Sequence, residues 1–230
     1  GTLMEMVEGK VVGKTYFASY RNAAGGRVEI VEQCIVATNA YGAISNLRTI
    51  WEYNPESEGD PGSDRLKGVS YPDGRIETNT YDKGRYLSDT NPAECRFEAD
   101  GTGEYVRVSM EYGTTNSPNG VANQTTKQVV IEDPLSREVL GEEYVYTGGT
   151  NYERIAWTVR QLDPYGRETV VDKSDGTHEE TEWGCCGKTW EIDATGVKTE
   201  YFYDALNRMD LKVKHGIGAG TYPAQTNIYW

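Results

Sequence analysis

A recurring unit constrains this chain more than any other feature: a tyrosine–aspartate pair close to a glycine–arginine turn. The unit reads Tyr71-Pro72-Asp73-Gly74-Arg75, then Tyr81-Asp82-Lys83-Gly84-Arg85, then Asp163-Pro164-Tyr165-Gly166-Arg167. It returns as Asp193-Ala194-Thr195-Gly196 and as Tyr203-Asp204-Ala205-Leu206-Asn207-Arg208. Asp163 and Asp193 lie 30 positions apart, and Asp175 and Asp204 lie 29 apart. A unit this small cannot bury its own apolar face, so repeats of it must stack. The aspartate is expected to close each turn by accepting hydrogen bonds from backbone N–H groups two or three residues on. The glycine supplies a left-handed φ. The arginine is expected to reach a carboxylate or carbonyl on the next strand, and the tyrosine to lie across the neighbouring repeat. A trio that recurs along the chain reads as architecture rather than as a catalytic set.

Between the turns, residues alternate. Val28 and Ile30 alternate with Arg27 and Glu29. Thr199, Tyr201 and Tyr203 oppose Lys198, Glu200 and Phe202. Period two is the mark of a half-buried strand, and no long segment carries helical spacing. The expected fold is all-β, with repeated antiparallel hairpins forming a curved or spiralling sheet. Strands are expected at 15–21, 27–38, 44–53, 66–71, 75–81, 93–97, 105–112, 127–132, 137–147 and 154–162, followed by a hairpin series to 214. A single β domain over 1–230 accounts for the length, with the polar stretch 113–124 as the place where it would subdivide. Residues 54–64 hold no apolar side chain and read as an exposed loop, without the regular ligand spacing of a calcium loop.

Composition narrows the function classes. Hydrophobic residues make up 37%, but 17 tyrosines and 5 tryptophans add apolar area suited to a half-wet pleated surface. Asp and Glu number 36 against 23 Lys and Arg, a formal charge of −13. That field repels a phosphate backbone and an anionic membrane surface, so neither is an expected partner. No apolar run approaches the ~20 residues that span a bilayer.

The motifs at 81–85, 163–167, 193–196 and 203–208, with the Cys185-Cys186-Gly187 that precedes the last two, resemble the YD-repeat family, also called Rhs repeats. Its members include large bacterial Rhs proteins, toxin-complex components and animal teneurins. The likeness is strongest over 163–214. It implies a spiral of β-hairpins forming the wall of a hollow shell that encloses a toxin or another polypeptide. By that resemblance the chain is a non-enzymatic wall segment of a larger secreted or cell-surface bacterial protein. Its partners would be flanking repeats or an enclosed polypeptide of the same parent, with self-association through strand edges. The aspartate–glycine–arginine core motif of self-cleaving relatives is absent beyond the fragment Asp163-Pro164, so self-cleavage is not expected.

The remaining candidates are few. Adjacent Cys185 and Cys186 have Cα atoms ~3.8 Å apart, below the usual disulfide window of about 4.4–6.8 Å. Free structural thiols, a vicinal disulfide and a metal or redox site all stay open. Cys34 and Cys95 are a candidate long-range bridge. Glu179, Glu180 and Glu182 could pair for glycoside hydrolysis, but carboxylates are so frequent here that a solvated strand face is the simpler reading. Trp51, Trp157, Trp183 and Trp190 could stack on sugar rings, which gives an alternative function: a glycan-binding β module using an aromatic face, with calcium held by aspartates. Asn123-Gln124-Thr125 fits a glycosylation acceptor. The glycines at 216–220 lack a phosphate-loop context. No catalytic residue, cofactor or metal is expected.

Overall fold

A computed structural model describes residues 1–7, 10–114, 123–149, 151–215 and 225–228. The side chain of the acceptor Asn123 and the glycines at 216–220 lie outside the described residues. The described residues form one 17-stranded antiparallel sheet. Its strands are β1 (Thr2–Val7), β2 (Lys10–Arg21), β3 (Arg27–Gln33), β4 (Leu47–Tyr53), β5 (Leu66–Ser70) and β6 (Arg75–Leu87). They continue as β7 (Arg96–Ala99), β8 (Tyr105–Thr114), β9 (Asn123–Glu132), β10 (Glu138–Gly148), β11 (Asn151–Leu162) and β12 (Glu168–Lys173). The last five are β13 (His178–Trp183), β14 (Lys188–Ile192), β15 (Lys198–Tyr203), β16 (Met209–Lys214) and β17 (Gln225–Ile228). Each strand pairs with the next in sequence, except that β8 pairs with β6 while β7 pairs with the end of β6. The sheet does not close on itself. β8 pairs with β9 from Val106↔Glu132 to Thr114↔Asn123, so the two halves of the chain share one sheet.

Seven hairpins use one turn. In each, the first residue's N–H donates to the carbonyl four positions on, and the fourth residue's N–H donates back to the first residue's carbonyl. The first residues are Asn22, Tyr71, Asp133, Asp163, Lys173, Asp193 and Asp204. The fourth residue always has a left-handed φ: Gly25, Gly74, Ser136, Gly166, Gly176, Gly196 and Asn207, from 58° to 87°. At Asp133, Asp163 and Asp204 the Oδ1 atom accepts from the N–H groups two and four residues on. Oδ2 meanwhile accepts from the Nε of the turn's own arginine, Arg137, Arg167 or Arg208, at 2.7–2.8 Å. The arginine thus folds back onto its own aspartate instead of reaching the next strand. Five hydrogen bonds fit within five residues, and water cannot offer that arrangement without ordering. At Asp193, Val197 stands where the arginine would be, and Thr195 Oγ1 donates to the carboxylate instead. Asp73 and Asp175 occupy the third turn position and accept from the N–H of Arg75 and Thr177.

The stretch 81–85 is not a turn. Tyr81, Asp82, Gly84 and Arg85 lie inside β6, a single strand of 13 residues. Gly84 has no left-handed φ. A Cβ there would collide with the Glu98 carbonyl and the Phe97 ring, so glycine serves close approach of β7. Asp82 pairs with Arg107 on β8, and Arg85 pairs with Asp100 in the following loop, each at 2.7 Å. Tyr81 donates to the Leu66 carbonyl at 2.6 Å and lies beneath the Arg65 guanidinium, which bridges to Glu132. This pins the loop 54–65. Likewise, 93–97 divides into a short 3₁₀ turn, Pro92–Glu94, and β7.

The core sits in the middle of the sheet. Ile131, Leu140 and Val159 face one another across β9, β10 and β11, and Ile131 and Leu140 are almost fully buried. Cys95 and the rings of Tyr86, Phe97 and Tyr105 cover this row. Between Glu168 and His215, by contrast, Val197 and Thr199 are the only buried residues. The chain exposes 14601 Å². A compact monomer of 25.6 kDa exposes about 10,400 Å². Much of the sheet is therefore one layer thick.

A fully buried charge has no counterpart in the sequence reading. Glu32, fully buried on β3, accepts from Gly42 N, Asn46 Nδ2 and the Arg48 guanidinium. Burial pushes its pKa up, but those hydrogen bonds outweigh it and hold the carboxyl below its ordinary value. It anchors the loop 34–46. Glu32→Ala leaves these donors unpaired and is expected to cost about 3 kcal/mol, measured by urea unfolding. Burial likewise works against the Asp133 and Asp163 carboxylates, but their arginine and backbone donors prevail; backbone N–H groups lead at Asp204; all three end below the usual range. A depressed folded pKa adds stability above the unfolded value of about 4, and that stability is lost as pH falls through the folded values. The melting temperature should therefore drop steeply below about pH 4. Asp133→Asn, which keeps an acceptor but no charge, should shrink that drop.

Candidate functional site: a rim of turns and a tryptophan groove

The turns at Asp133, Asp163 and Asp204, and the hairpin tip at Gly184–Gly187, join β9 to β10, β11 to β12, β15 to β16 and β13 to β14. A meander places alternate connections at one end, so these four line one rim of the sheet. They interlock sideways. Arg137 of the first turn lies against Gly166 of the second, where a Cβ would collide with its guanidinium. Arg167 of the second stacks over the Trp183 ring at 5.0 Å. Cys186 of the hairpin tip donates to Asn207 Oδ1 of the last turn at 2.9 Å. Tyr203 reaches back to donate to the Lys188 carbonyl at 3.0 Å. The third residues of the aspartate turns point outward: Leu135, Tyr165 and Leu206 are 70%, 83% and 70% exposed.

The repeat motif predicts a period near 30 residues, and the structure gives this spacing a different meaning. Three strands separate Asp163 from Asp193, so the two turns sit on opposite rims. The neighbours of Asp193 on its own rim are the Asp175 turn and, further on, Gly148 and Gly149.

The four tryptophans do not form one face. Trp157 packs against the central core, and Trp51 lies on β4, paired with Val69. Trp183 and Trp190 do converge. With Asp163, Glu180 and Glu182 they line a shallow groove of about 390 Å³. Trp183 Nε1 donates to the Glu168 carbonyl, which fixes the ring. Beside the core, a larger cleft of about 660 Å³ runs between Tyr86, Asp89 and Arg160. Most of its charged groups are held by partners: Asp133 pairs with Arg137, Arg160 with Glu138 and Glu168, and Asp172 with His178, while Asp89 accepts from the backbone of its own loop.

His178 lies between Asp172 Oδ1 at 2.7 Å and Glu180 Oε1 at 3.0 Å. The hydrogen bond to Asp172, then that to Glu180, holds its pKa above the ordinary value. Glu179 pairs with Lys173. The carboxylate at 179 is thus paired with a lysine and the one at 180 with the imidazole of His178. No cluster of three or more His, Cys, Asp or Glu side chains that could hold a metal occurs among the described residues. Cys34 and Cys95 are both buried free thiols in separate surroundings and form no bridge: Cys34 contacts the Asn39 carbonyl, and Cys95 contacts the backbone of Asp89.

The sequence reading missed two participants. Asp133 belongs to the rim, but Ser136 replaces the glycine that would have flagged it. Glu32 had no signal beyond a lone acid in an apolar alternation. No family model and no curated protein matches the chain.

With its pKa raised, His178 contributes stability that is complete below the unfolded value of about 6.5 and is lost as pH rises through the folded value. Proton NMR titration of the two histidines should place His178 above 6.5, and Asp172→Asn should bring it down.

Proposed function

We propose that this chain is a non-enzymatic wall module, a stretch of β-sheet that continues into further repeats of a larger secreted or surface bacterial protein of YD-repeat type and shelters a neighbouring polypeptide. The observation that carries this reading is the excess of exposed surface on a continuous open sheet. About 14601 Å² is exposed where a compact monomer would expose about 10,400 Å². A layer this thin gains from a covering on its faces and from neighbours at its edges. The rim supports the same reading. Its aspartates and arginines satisfy one another within each turn, so they hold shape. Leu135, Tyr165 and Leu206 supply apolar knobs at three of the four tips on this rim, suited to packing against a further layer.

A second reading draws on the groove. Trp183 and Trp190 present ring surface beside Glu180 and Glu182, the mix of flat apolar and hydrogen-bonding groups that sugars stack on. Glycan binding by this groove is compatible with a wall role, since it uses a sheet face and leaves the edges free.

The edge of β1 tests the first reading. Leu3 and Met4 are 64% and 53% exposed there. Sedimentation velocity over a hundredfold concentration range is expected to reveal reversible association, weakened at least tenfold by Leu3→Lys with Met4→Lys, which place charges on that edge. A monomer at every concentration would remove the edge-to-edge reading.

A further inference from the structure

The hairpin tip between β13 and β14 is built differently from its neighbours. Gly184 N donates to the Gly187 carbonyl at 2.8 Å, which leaves Cys185 and Cys186 as the two residues of the tip. Two-residue tips favour asparagine or glycine, whose backbones accept positive φ. Neither cysteine has a positive φ, and Gly187, at φ 152°, absorbs the turn instead. Turn chemistry therefore does not ask for cysteine here. Packing does not ask for it either, since Cys185 is exposed and Cys186 half-buried, whereas Cys34 and Cys95 are buried as structural thiols usually are.

In a straight strand, adjacent side chains point to opposite faces. Here the tip turns both sulfurs to the same side, 2.8 Å apart. Cys186 donates onward to Asn207 Oδ1 at 2.9 Å, so the reduced pair ties this hairpin to the next turn of the rim. The Cys185 hydrogen bond, burial and the nearby Cys185 charge all push the Cys186 thiol up, which keeps that donor protonated.

We infer that Cys185 and Cys186 form a reversible redox-modification site, a vicinal dithiol that exchanges with small-molecule disulfides and, on closing, releases the Asp204–Arg208 turn. The exposed Cys185 thiolate attacks one sulfur of the small disulfide. A Cys185–S bond forms, the original S–S bond breaks, and one thiolate leaves. Cys186 then loses its proton to solvent and attacks Cys185 Sγ, expelling the second thiolate, which is reprotonated. The protein loses two protons and two electrons, and the small disulfide takes them up to become two thiols. A bond between adjacent residues is strained and readily reduced, which suits a reversible site. Closure removes the Cys186 S–H, and with it the bond to Asn207.

The test uses the folded chain incubated with oxidised glutathione, then analysed by intact mass and peptide mapping. The expected product lacks two hydrogens in the peptide bearing Cys185 and Cys186, carries no glutathione, leaves Cys34 and Cys95 unmodified, and reverts with dithiothreitol. Cys186→Ser is expected to keep one glutathione on Cys185. Amide hydrogen exchange at Leu206–Arg208 should rise several-fold on oxidation. A wild-type chain that retains glutathione on either sulfur, or that stays reduced, overturns the exchange. Unchanged protection at Leu206–Arg208 overturns the release.

Discussion

The structure depends on one local interaction, an aspartate carboxylate that closes its own turn. Each oxygen has a separate task. One collects two backbone N–H groups, and the other holds the arginine four residues on. Backbone polar groups at a hairpin end would otherwise face water or go unpaired. Satisfying them within five residues lets the next strand start in a fixed direction and register. Because every contact is local, the same device repeats without help from a distant core, and the sheet can grow by addition of hairpins.

Thinness follows from that autonomy. Where long strands and the loop 88–95 cover the sheet, at β8 to β11, Ile131, Leu140 and Val159 build an ordinary core. From β12 to β16 the strands shorten to five or six residues, and half-buried tyrosines, tryptophans and cation–π contacts replace aliphatic packing. Sideways coherence in that wing comes from the rim, where Arg137 meets Gly166, Arg167 meets Trp183, and Cys186 meets Asn207. The same charges that make the chain acidic are placed in cross-strand pairs, such as Arg107 with Asp82 and Arg154 with Glu142. Exposed pairs of this kind add little each, but they keep like charges apart along a sheet of net charge −13.

Much of this was legible in residues alone. Alternation at Val28–Ile30 and Thr199–Tyr203 identified strands, and the Asp163, Asp193 and Asp204 motifs identified turns. The misreadings have a common cause. Asp82 and Gly84 look the same as a turn in sequence, since a glycine required for left-handed φ and one required for close approach are the same letter. Ser136 hides a turn because the neighbouring Asp133–Arg137 clamp is strong enough to hold a non-glycine residue at φ 58°. Glu32 was invisible because its partners, Gly42, Asn46 and Arg48, are supplied by a loop whose course no local pattern encodes.

The sequence by itself determined the class of fold, the hairpin punctuation and the acidic, aromatic surface, because those properties arise within spans of five to ten residues. Tertiary structure alone decided which turns share a rim, which glycines serve contact, that Trp183 meets Trp190 while Trp157 joins the core, and that two adjacent sulfurs face the same way beside Asn207. Each of these depends on how many strands intervene and how closely neighbouring backbones approach. Both are set by pairing across the sheet, and the spacing of motifs along the chain leaves them open.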